Sequence, residues 1–302
     1  MINHKNFTYK TLIDWIEIEI TTTSPTNFWT IREIAGLCYV EPLDESKGGA
    51  ATIFKFRLYD INTWKQVERT IETLKEYRTL AGEPRIIGIE VSFDAYSISN
   101  LKNDLREHTA EYFRMVSNPL MSNKNQRAAG IHKGSAEPVS LKIGNYLQVD
   151  NKTFYIGSQK DDDASMRVYF KKTDSSLSLA IEEQCARIEI TLKNTECPFS
   201  TIKEAEHFKF EHLAKWFKFR KVRDGLTPLQ RVISGYLPQL GEIKKRKVIA
   251  TGKINYRLYH PATKSNTELN TIAYEQLRLL TKRLSKTRVL KKSRDVHLKK
   301  LI

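Results

Sequence analysis

The chain has 302 residues, 40% of them hydrophobic, and a formal net charge of +15, so it can build a sizeable core. Because no run of about 18 apolar residues occurs and residues 1–10 lack the apolar segment of a signal peptide, we expect no membrane span and a cytoplasmic location. The three cysteines have neither paired nor zinc-ligand spacing, which argues against a disulfide framework and a zinc site: Cys38, Cys185 and Cys197.

The positive charge is confined to the last third of the chain. Residues 1–120 contain 14 Lys and Arg against 17 Asp and Glu, whereas residues 201–302 contain 25 against 8. An asymmetry of this size favours a polyanionic partner, either a phosphate backbone or an anionic membrane, over a merely solvated surface. Aromatic residues interleaved with the cations favour nucleic acid.

The first 120 residues predict three strands and three helices. Alternating apolar residues predict the strands, and apolar residues at helical spacing predict the helices, the second of which Asn62 can cap. In chain order these are strand 13–20, helix 29–37, strand 51–59, helix 64–78, strand 85–95 and helix 101–116. This order predicts an α+β fold with helices on one face of a mainly antiparallel sheet.

The rest of the chain predicts a second β-rich stretch and then a basic, largely helical C-terminal region. A polar segment at about 118–139 is typical of a loop or of a linker between half-domains. The predicted elements beyond it are strands at 141–149, 153–157, 166–172 and 187–193, a helix at 204–223, a strand at 253–259 and a helix from about 267. We predict one domain at 1–200 and a basic region at 201–302.

Period-two alternation shows which polar residues share a sheet face. On three predicted strands the apolar residues occupy one face and leave a polar group on the other. These groups are Glu90, Ser92 and Asp94; Arg167, Tyr169 and Lys171; and Arg187, Glu189 and Thr191. If the strands belong to one sheet, its open face gathers carboxylates, cations and a tyrosine.

Such a face has the residues needed for phosphoryl transfer. Carboxylate oxygens suit Mg²⁺ or Mn²⁺, either of which can polarise a phosphodiester. A tyrosine can attack phosphorus, but its pKa of about 10 requires a metal or cationic neighbours at neutral pH. Lys171 lies two residues from Tyr169 on the same face and is placed to help.

Three of these segments also occur in a recognisable succession. They are Tyr155-Ile156-Gly157-Ser158, then Arg167-Val168-Tyr169-Phe170-Lys171, then Arg187-Ile188-Glu189. The succession resembles the Y-x-G-S, R-x-Y-x-K and R-x-E motifs of the rolling-circle replication initiation factors of plasmids and filamentous phages. Segments 13–16 and 88–96 look most like the filamentous-phage initiators, and the resemblance covers about residues 12–194.

The resemblance implies an origin-specific nickase and strand transferase of a phage or plasmid, which would act in the cytoplasm of a bacterial host cell. Tyr169 is the residue that matches the family's nucleophile, which cleaves one strand, stays attached to the 5′ phosphate and leaves a 3′ hydroxyl. Glu189 matches a metal ligand or catalytic carboxylate, and Asp14, Glu90 and Asp94 are further metal candidates. The histidine-hydrophobe-histidine pair of many rolling-circle nickases does not occur here, so we expect carboxylates to hold Mg²⁺ or Mn²⁺.

The expected partners are origin DNA and, through the implied function, a host helicase and polymerase. Segment 215–221 interleaves aromatic and cationic residues, a mixture that stacks bases and holds phosphates. The candidate DNA-binding residues are Arg167, Lys215, Trp216, Lys218, Arg220, Lys244, Lys245, Arg246 and Lys247. Residues 282–300 form a basic tail that adds salt-dependent affinity, and 227–237 is a candidate origin-reading segment.

Three alternatives remain open from the sequence. The first is a non-catalytic DNA- or RNA-binding protein, such as a phage repressor, with a solvated sheet face and a basic tail. The second is a transfer relaxase of a mobile element, which uses the same chemistry. The third, a hydrolytic metal-dependent nuclease, is disfavoured because Thr191 stands where its Glu-x-Lys pattern requires lysine. His108 lies on an apolar helix stripe and is expected in the core.

Overall fold

The protein is described from a computed structural model. The residues described are 3–36, 39–44, 50–117, 119–120, 127–130, 137–138, 152–157, 163–174, 176–222, 243–248, 254–259 and 263–285. They contain five α-helices: α1 Phe28–Ala35, α2 Trp64–Tyr77, α3 Lys102–Met115, α4 Ile202–His207 and α5 Thr267–Leu284. Among these residues, no helix is long and apolar enough to cross a membrane.

The strands of the described residues outnumber the helices. They are β1 Phe7–Asn27, β2 Tyr39–Pro42, β3 Ala50–Ile61, β4 Arg85–Ser97, β5 Arg127–Gly130, β6 Glu137–Pro138, β7 Thr153–Ile156, β8 Ala164–Lys171, β9 Thr173–Asp174, β10 Leu177–Ser178, β11 Cys185–Lys193, β12 Arg220–Val222, β13 Ile243–Val248, β14 Ile254–Tyr259 and β15 Thr263–Ser265. Nine form one sheet in the order β2-β3-β1-β4-β11-β8-β7-β5-β6. Antiparallel pairing and helices confirm the predicted α+β class.

The chain divides into two compact units whose segments alternate along the sequence. Unit 1 comprises the described residues of Met1–Thr11, Val91–Glu196 and Phe210–Arg278. Unit 2 comprises those of Leu12–Glu90, Cys197–Lys209 and Leu279–Ile302. Strands β1 and β4 run through both units, while the predicted domain boundary near residue 200 stays a prediction.

In unit 2, helix α2 is amphipathic and buries one apolar face. Val67, Ile71 and Leu74 recur at helical spacing and are buried because that spacing places them on one face of the helix. The cap differs from the predicted Asn62, because the N–H groups of both Asn62 and Thr63 donate to the Gln66 side chain at 2.7 and 3.0 Å. The cap residue is therefore Thr63.

Unit 1 has an aromatic core beneath α3, which packs against β8 and β11. Phe93 stacks on Tyr9 with ring centroids 5.4 Å apart, and Tyr112 stacks on Phe219 at 5.3 Å. His108 is fully buried, as expected, with Nε2 2.9 Å from the Tyr9 hydroxyl. Burial lowers the pKa of His108 to about 3, so this histidine is neutral at physiological pH.

Two predicted elements were wrong. The single helix at 204–223 is instead α4, a 3₁₀ helix at Phe210–Lys215 and strand β12. The buried residues Phe210, Leu213 and Trp216 are three apart, which is the period of a 3₁₀ helix rather than an α-helix. The supposed linker at 118–139 contains β5 and β6.

Some predicted segments cannot be compared with the structure. The strand at 141–149, the segment at 227–237 and the tail beyond residue 285 lie outside the described residues. The predicted strands at 153–157, 166–172, 187–193 and 253–259 correspond to β7, β8, β11 and β14.

Candidate active site on the β8 and β11 strands

The antiparallel register of β8 and β11 brings the predicted polar residues opposite one another. Tyr169 pairs with Arg187, and Arg167 pairs with Glu189. The alternate residues Val168 and Ile188 also pair and are buried. Since side chains alternate along a strand, the polar residues of both strands share the other face.

A tyrosine and a buried carboxylate are joined directly on this face. The Tyr169 hydroxyl donates to Glu189 Oε1 at 2.6 Å, and Arg167 Nη2 lies 2.6 Å from the other oxygen, Oε2. Glu189 is 1% exposed, whereas Tyr169 and Arg167 are only half-buried. Tyr169 and Arg167 are therefore the more exposed residues of this cluster.

A second arginine links Glu189 to Asp94 on β4. Arg187 Nε and Nη2 contact Asp94 Oδ1 and Oδ2 at 2.7 and 2.6 Å, and Arg187 Nη1 lies 3.4 Å from Glu189 Oε1. Arg187 is 4% exposed. A bidentate pair of this kind fixes the plane of the guanidinium as well as its position.

In this geometry Asp94 holds Arg187, and its predicted role as a metal ligand stays a prediction. Both of its oxygens are engaged by Arg187, and Oδ2 also accepts a hydrogen bond from the Tyr96 hydroxyl at 3.2 Å. A carboxylate held in this way orients an arginine. The sequence could not show the contact between Asp94 and Arg187. Alternation predicts the strand face on which Asp94 lies, but it does not identify the residue on another strand that Asp94 contacts.

Electrostatics keep the Tyr169 phenol protonated in the resting protein. Burial raises its pKa well above the usual value, and the neighbouring Glu189 charge raises it further, while Arg187 and Arg167 act in the opposite direction. Neutralising the charge of Glu189 would remove the second cause. The position of Tyr169 thus makes its reactivity depend on what binds near that carboxylate.

Two other tyrosines of the sheet, Tyr96 on β4 and Tyr155 on β7, have different surroundings from Tyr169. The Tyr96 hydroxyl is occupied by Asp94, the Lys10 ammonium lies 5.1 Å from the centroid of its ring, and burial raises its pKa. Tyr155 is half-buried on β7 and pairs with Arg167 across the strands. Of these three tyrosines, Tyr169 is the one whose hydroxyl donates to Glu189 within the part of the chain that the structure describes.

The remaining carboxylate candidates are suited to a hard metal ion. Asp14 is half-buried on β1 and Glu90 is buried on β4. In unit 2, Asp14 and Glu90 each offer one carboxylate oxygen as a possible ligand, and in unit 1 Glu189 does the same. An all-oxygen donor set fits Mg²⁺ or Mn²⁺ better than softer metals. Lys171 Nζ lies 3.5 Å from Asp174 Oδ1 at the end of β8.

The predicted DNA-binding residues fall into three groups. Lys215 and Lys218 are exposed and Arg220 is half-buried. Trp216 is only 3% exposed, so its predicted role in base stacking is corrected: the ring belongs to the core. Residues 244–247 all lie in β13, which pairs with β14.

Comparisons with known proteins give limited information. Neither a family model nor a curated protein matches the chain. Among solved structures, the chain is similar over 93% of its length to the whole of a rolling circle replication initiator protein from Geobacillus stearothermophilus, with 14% identity and a TM-score of 0.35. It is also similar over 94% of its length to 57% of an aspartate kinase from Synechocystis, with 9% identity and a TM-score of 0.19. At these TM-scores neither likeness carries a functional argument.

Proposed function

We propose that the protein is a metal-dependent tyrosine DNA nickase and strand transferase that initiates rolling-circle replication at a specific origin. One observation carries this proposal: the Tyr169 hydroxyl donates to the buried Glu189 carboxylate at 2.6 Å, between two arginines. A nucleophile that is hydrogen-bonded to a base and flanked by cations is the arrangement expected for attack on a phosphodiester.

In the proposed reaction Tyr169 forms a bond to phosphorus. Its Oη attacks the scissile phosphate, the phenol proton passes to Glu189, and the bond from phosphorus to the 3′ oxygen breaks. The 3′ oxygen leaves with a proton from solvent as a free hydroxyl, and the 5′ phosphate stays on Tyr169. Attack of a 3′ hydroxyl on this phosphotyrosine reverses the step and joins strands.

The cations of the cluster have separate roles in this reaction. Arg167 is half-exposed and can contact a non-bridging phosphate oxygen, while Arg187 restrains Glu189 and is itself oriented by Asp94. Lys171 lies two residues beyond Tyr169 on the same face and adds positive charge beside the phosphate. Asp94 is a positioning residue, since it acts through Arg187.

We include a divalent metal in the proposal, with the Glu189 carboxylate as the group of unit 1 that would hold Mg²⁺ or Mn²⁺. When bound, such an ion supplies Lewis-acid polarisation of the phosphodiester. The chain's own residues orient the phenol, accept its proton and exclude water around Glu189. Asp94, whose two oxygens contact Arg187, stays a further candidate ligand.

The proposed biological setting follows from the chemistry. The DNA partner would be the double-strand origin of a phage or plasmid in a bacterial host cell, and a host polymerase would extend the released 3′ hydroxyl while a host helicase opens the duplex. A transfer relaxase would use the same residues at a transfer site. Cleavage of the element's replication origin rather than its transfer site distinguishes the two.

The decisive experiment uses supercoiled DNA of the element that encodes the chain, with Mg²⁺ or Mn²⁺. The wild-type protein is expected to give open circles with covalently attached protein, and Tyr169→Phe is expected to bind the DNA normally but to lower adduct yield at least about 10³-fold. EDTA should abolish the adduct without abolishing binding.

The matched control is Tyr39→Phe, because the Tyr39 phenol also donates to a carboxylate, that of Glu41. This variant should retain wild-type adduct yield. An undiminished adduct from Tyr169→Phe would exclude Tyr169 as the nucleophile. Absence of any adduct from the wild type, with DNA binding that does not require a divalent metal, would favour the non-catalytic DNA- or RNA-binding alternative.

A further inference from the structure

A small two-stranded ribbon in unit 1 has an unusual charge pattern. We call β12 and β15 together the lysine ribbon, that is, residues Arg220–Val222 and Thr263–Ser265. Its antiparallel register places Lys221 directly opposite Lys264. Directly opposed residues in such a pair lie on the same face with Cβ atoms about 4.5–5.5 Å apart. The ribbon thus holds two ammonium groups on one face.

In three strand pairs of the nine-stranded sheet, β1–β3, β2–β3 and β8–β11, the directly opposed charged residues have opposite signs. Glu17 pairs with Arg57, Glu19 with Lys55, Glu41 with Lys55 and Glu189 with Arg167. Opposite charges stabilise a strand pair and like charges destabilise it. The lysine ribbon therefore differs from these three strand pairs, because its directly opposed charges have the same sign.

The departure is not explained by a loosely held register. Phe219, which precedes β12, is 1% exposed and its N–H donates to Asn270 Oδ1 at 2.7 Å, while its carbonyl accepts from the Asn266 N–H at 3.0 Å. Asn266 in turn accepts from the Leu269 N–H at the start of α5. Backbone and core contacts thus fix both strands.

The surroundings of the pair are mainly cationic on the β12 side. Lys215 and Lys218 are exposed just before the ribbon, and Lys221 is half-exposed within it. Glu268 is the acidic residue in the first turn of α5.

We propose that the lysine ribbon binds the phosphate backbone of DNA, with Lys221 and Lys264 as the paired contact. A polyanion offsets the repulsion between two fixed cations and releases its own counterions, so the unfavourable pair becomes favourable on binding. The inference rests on the proposed function for the identity of the polyanion. The ribbon contributes affinity that does not depend on base sequence, since phosphate contacts carry no sequence information.

The charge pattern provides a test that separates folding from binding. Lys264→Glu gives Lys221 an opposite-charge partner, so its melting temperature should equal or exceed that of the wild type. Its affinity for a short random-sequence duplex should fall about five- to tenfold near 0.1 M salt, and the salt dependence of log K should become shallower by about one. Lys264→Gln, which only removes the charge, should show a smaller loss of affinity.

The control is Lys65→Glu on α2, which changes the net charge equally at another exposed lysine. If Lys264→Glu and Lys65→Glu lose affinity equally, or if Lys264→Glu loses none, the inference is overturned. Lower stability of Lys264→Glu would also overturn the argument from repulsion. Binding of the random-sequence duplex does not require the Tyr169 phenol, so Tyr169→Phe should bind it as the wild type does, and a wrong assignment of Tyr169 is distinguishable from failure of the lysine-ribbon test.

Discussion

Two sheet faces of this protein each carry a glutamate paired with an arginine across adjacent strands. In unit 2, Arg57 Nε lies 2.8 Å from Glu17 Oε1, and its guanidinium lies 4.3 Å from the Trp15 ring centroid and 4.8 Å from that of Tyr39. In unit 1, Arg167 Nη2 lies 2.6 Å from Glu189 Oε2. The charged groups are alike, and both glutamates are buried.

The difference lies in what else reaches the glutamate. On the β8–β11 face a phenol donates to Glu189, and a second arginine, itself fixed by Asp94, approaches the same carboxylate. In unit 2 the Tyr39 phenol donates to Glu41, and the aromatic rings enclose the cation. We infer that the Glu17 pair stabilises a sheet, whereas the Glu189 cluster is arranged for chemistry.

The largest expected effect that tests this comparison comes from Glu189→Gln. An amide cannot accept the phenol proton, so the rate of adduct formation should fall by about 10²–10⁴-fold. The measurement is single-turnover cleavage of origin DNA. Glu17→Gln is the matched variant: it should lower the free energy of unfolding by about 1–3 kcal/mol in urea titrations and leave the rate per folded molecule unchanged. Equal rate losses in both variants would remove the distinction between the two faces.

A smaller effect is expected from Asp94→Asn, which weakens the bidentate hold on Arg187. Misplacement of a group that restrains the base should lower the cleavage rate about 10–100-fold, with the dissociation constant for DNA unchanged. Tyr96→Phe removes only the 3.2 Å hydrogen bond to Asp94 and should stay within about threefold of the wild type. Parallel losses of rate and DNA affinity in Asp94→Asn would contradict a positioning role.

The smallest effect is expected from Lys171→Gln. Its pairing with Asp174 at 3.5 Å is partly solvent-exposed, and such pairs are worth at most about 1 kcal/mol. We therefore expect a two- to fivefold decrease in cleavage rate that becomes smaller at high salt. The neighbouring variant Lys172→Gln, on the opposite side of the strand path, serves as the control. A decrease beyond about 100-fold would make Lys171 part of the reacting machinery.

Alternation in the sequence determined the strands and their polar faces, because a side-chain period of two follows from the extended backbone itself. It therefore placed Arg167, Tyr169 and Lys171 on the same side of one strand. It also placed Arg187 and Glu189 on the same side of a second strand, without showing that the two strands pair. Local patterns also predicted α1, α2, α3 and α5. The same patterns gave a wrong prediction at 204–223, where the buried residues of Phe210–Lys215 and Trp216 recur every three residues and the chain forms a 3₁₀ helix.

Only the tertiary structure decided which of these faces meet. The register sets Tyr169 opposite Arg187 and Lys221 opposite Lys264, and it depends on which strands pair and at what offset, which period-two alternation leaves open. The burial of Trp216 and the engagement of Asp94 by Arg187 likewise depend on residues distant in sequence. Long-range pairing thus brought candidate residues together as a cluster of one phenol, one buried carboxylate and two arginines.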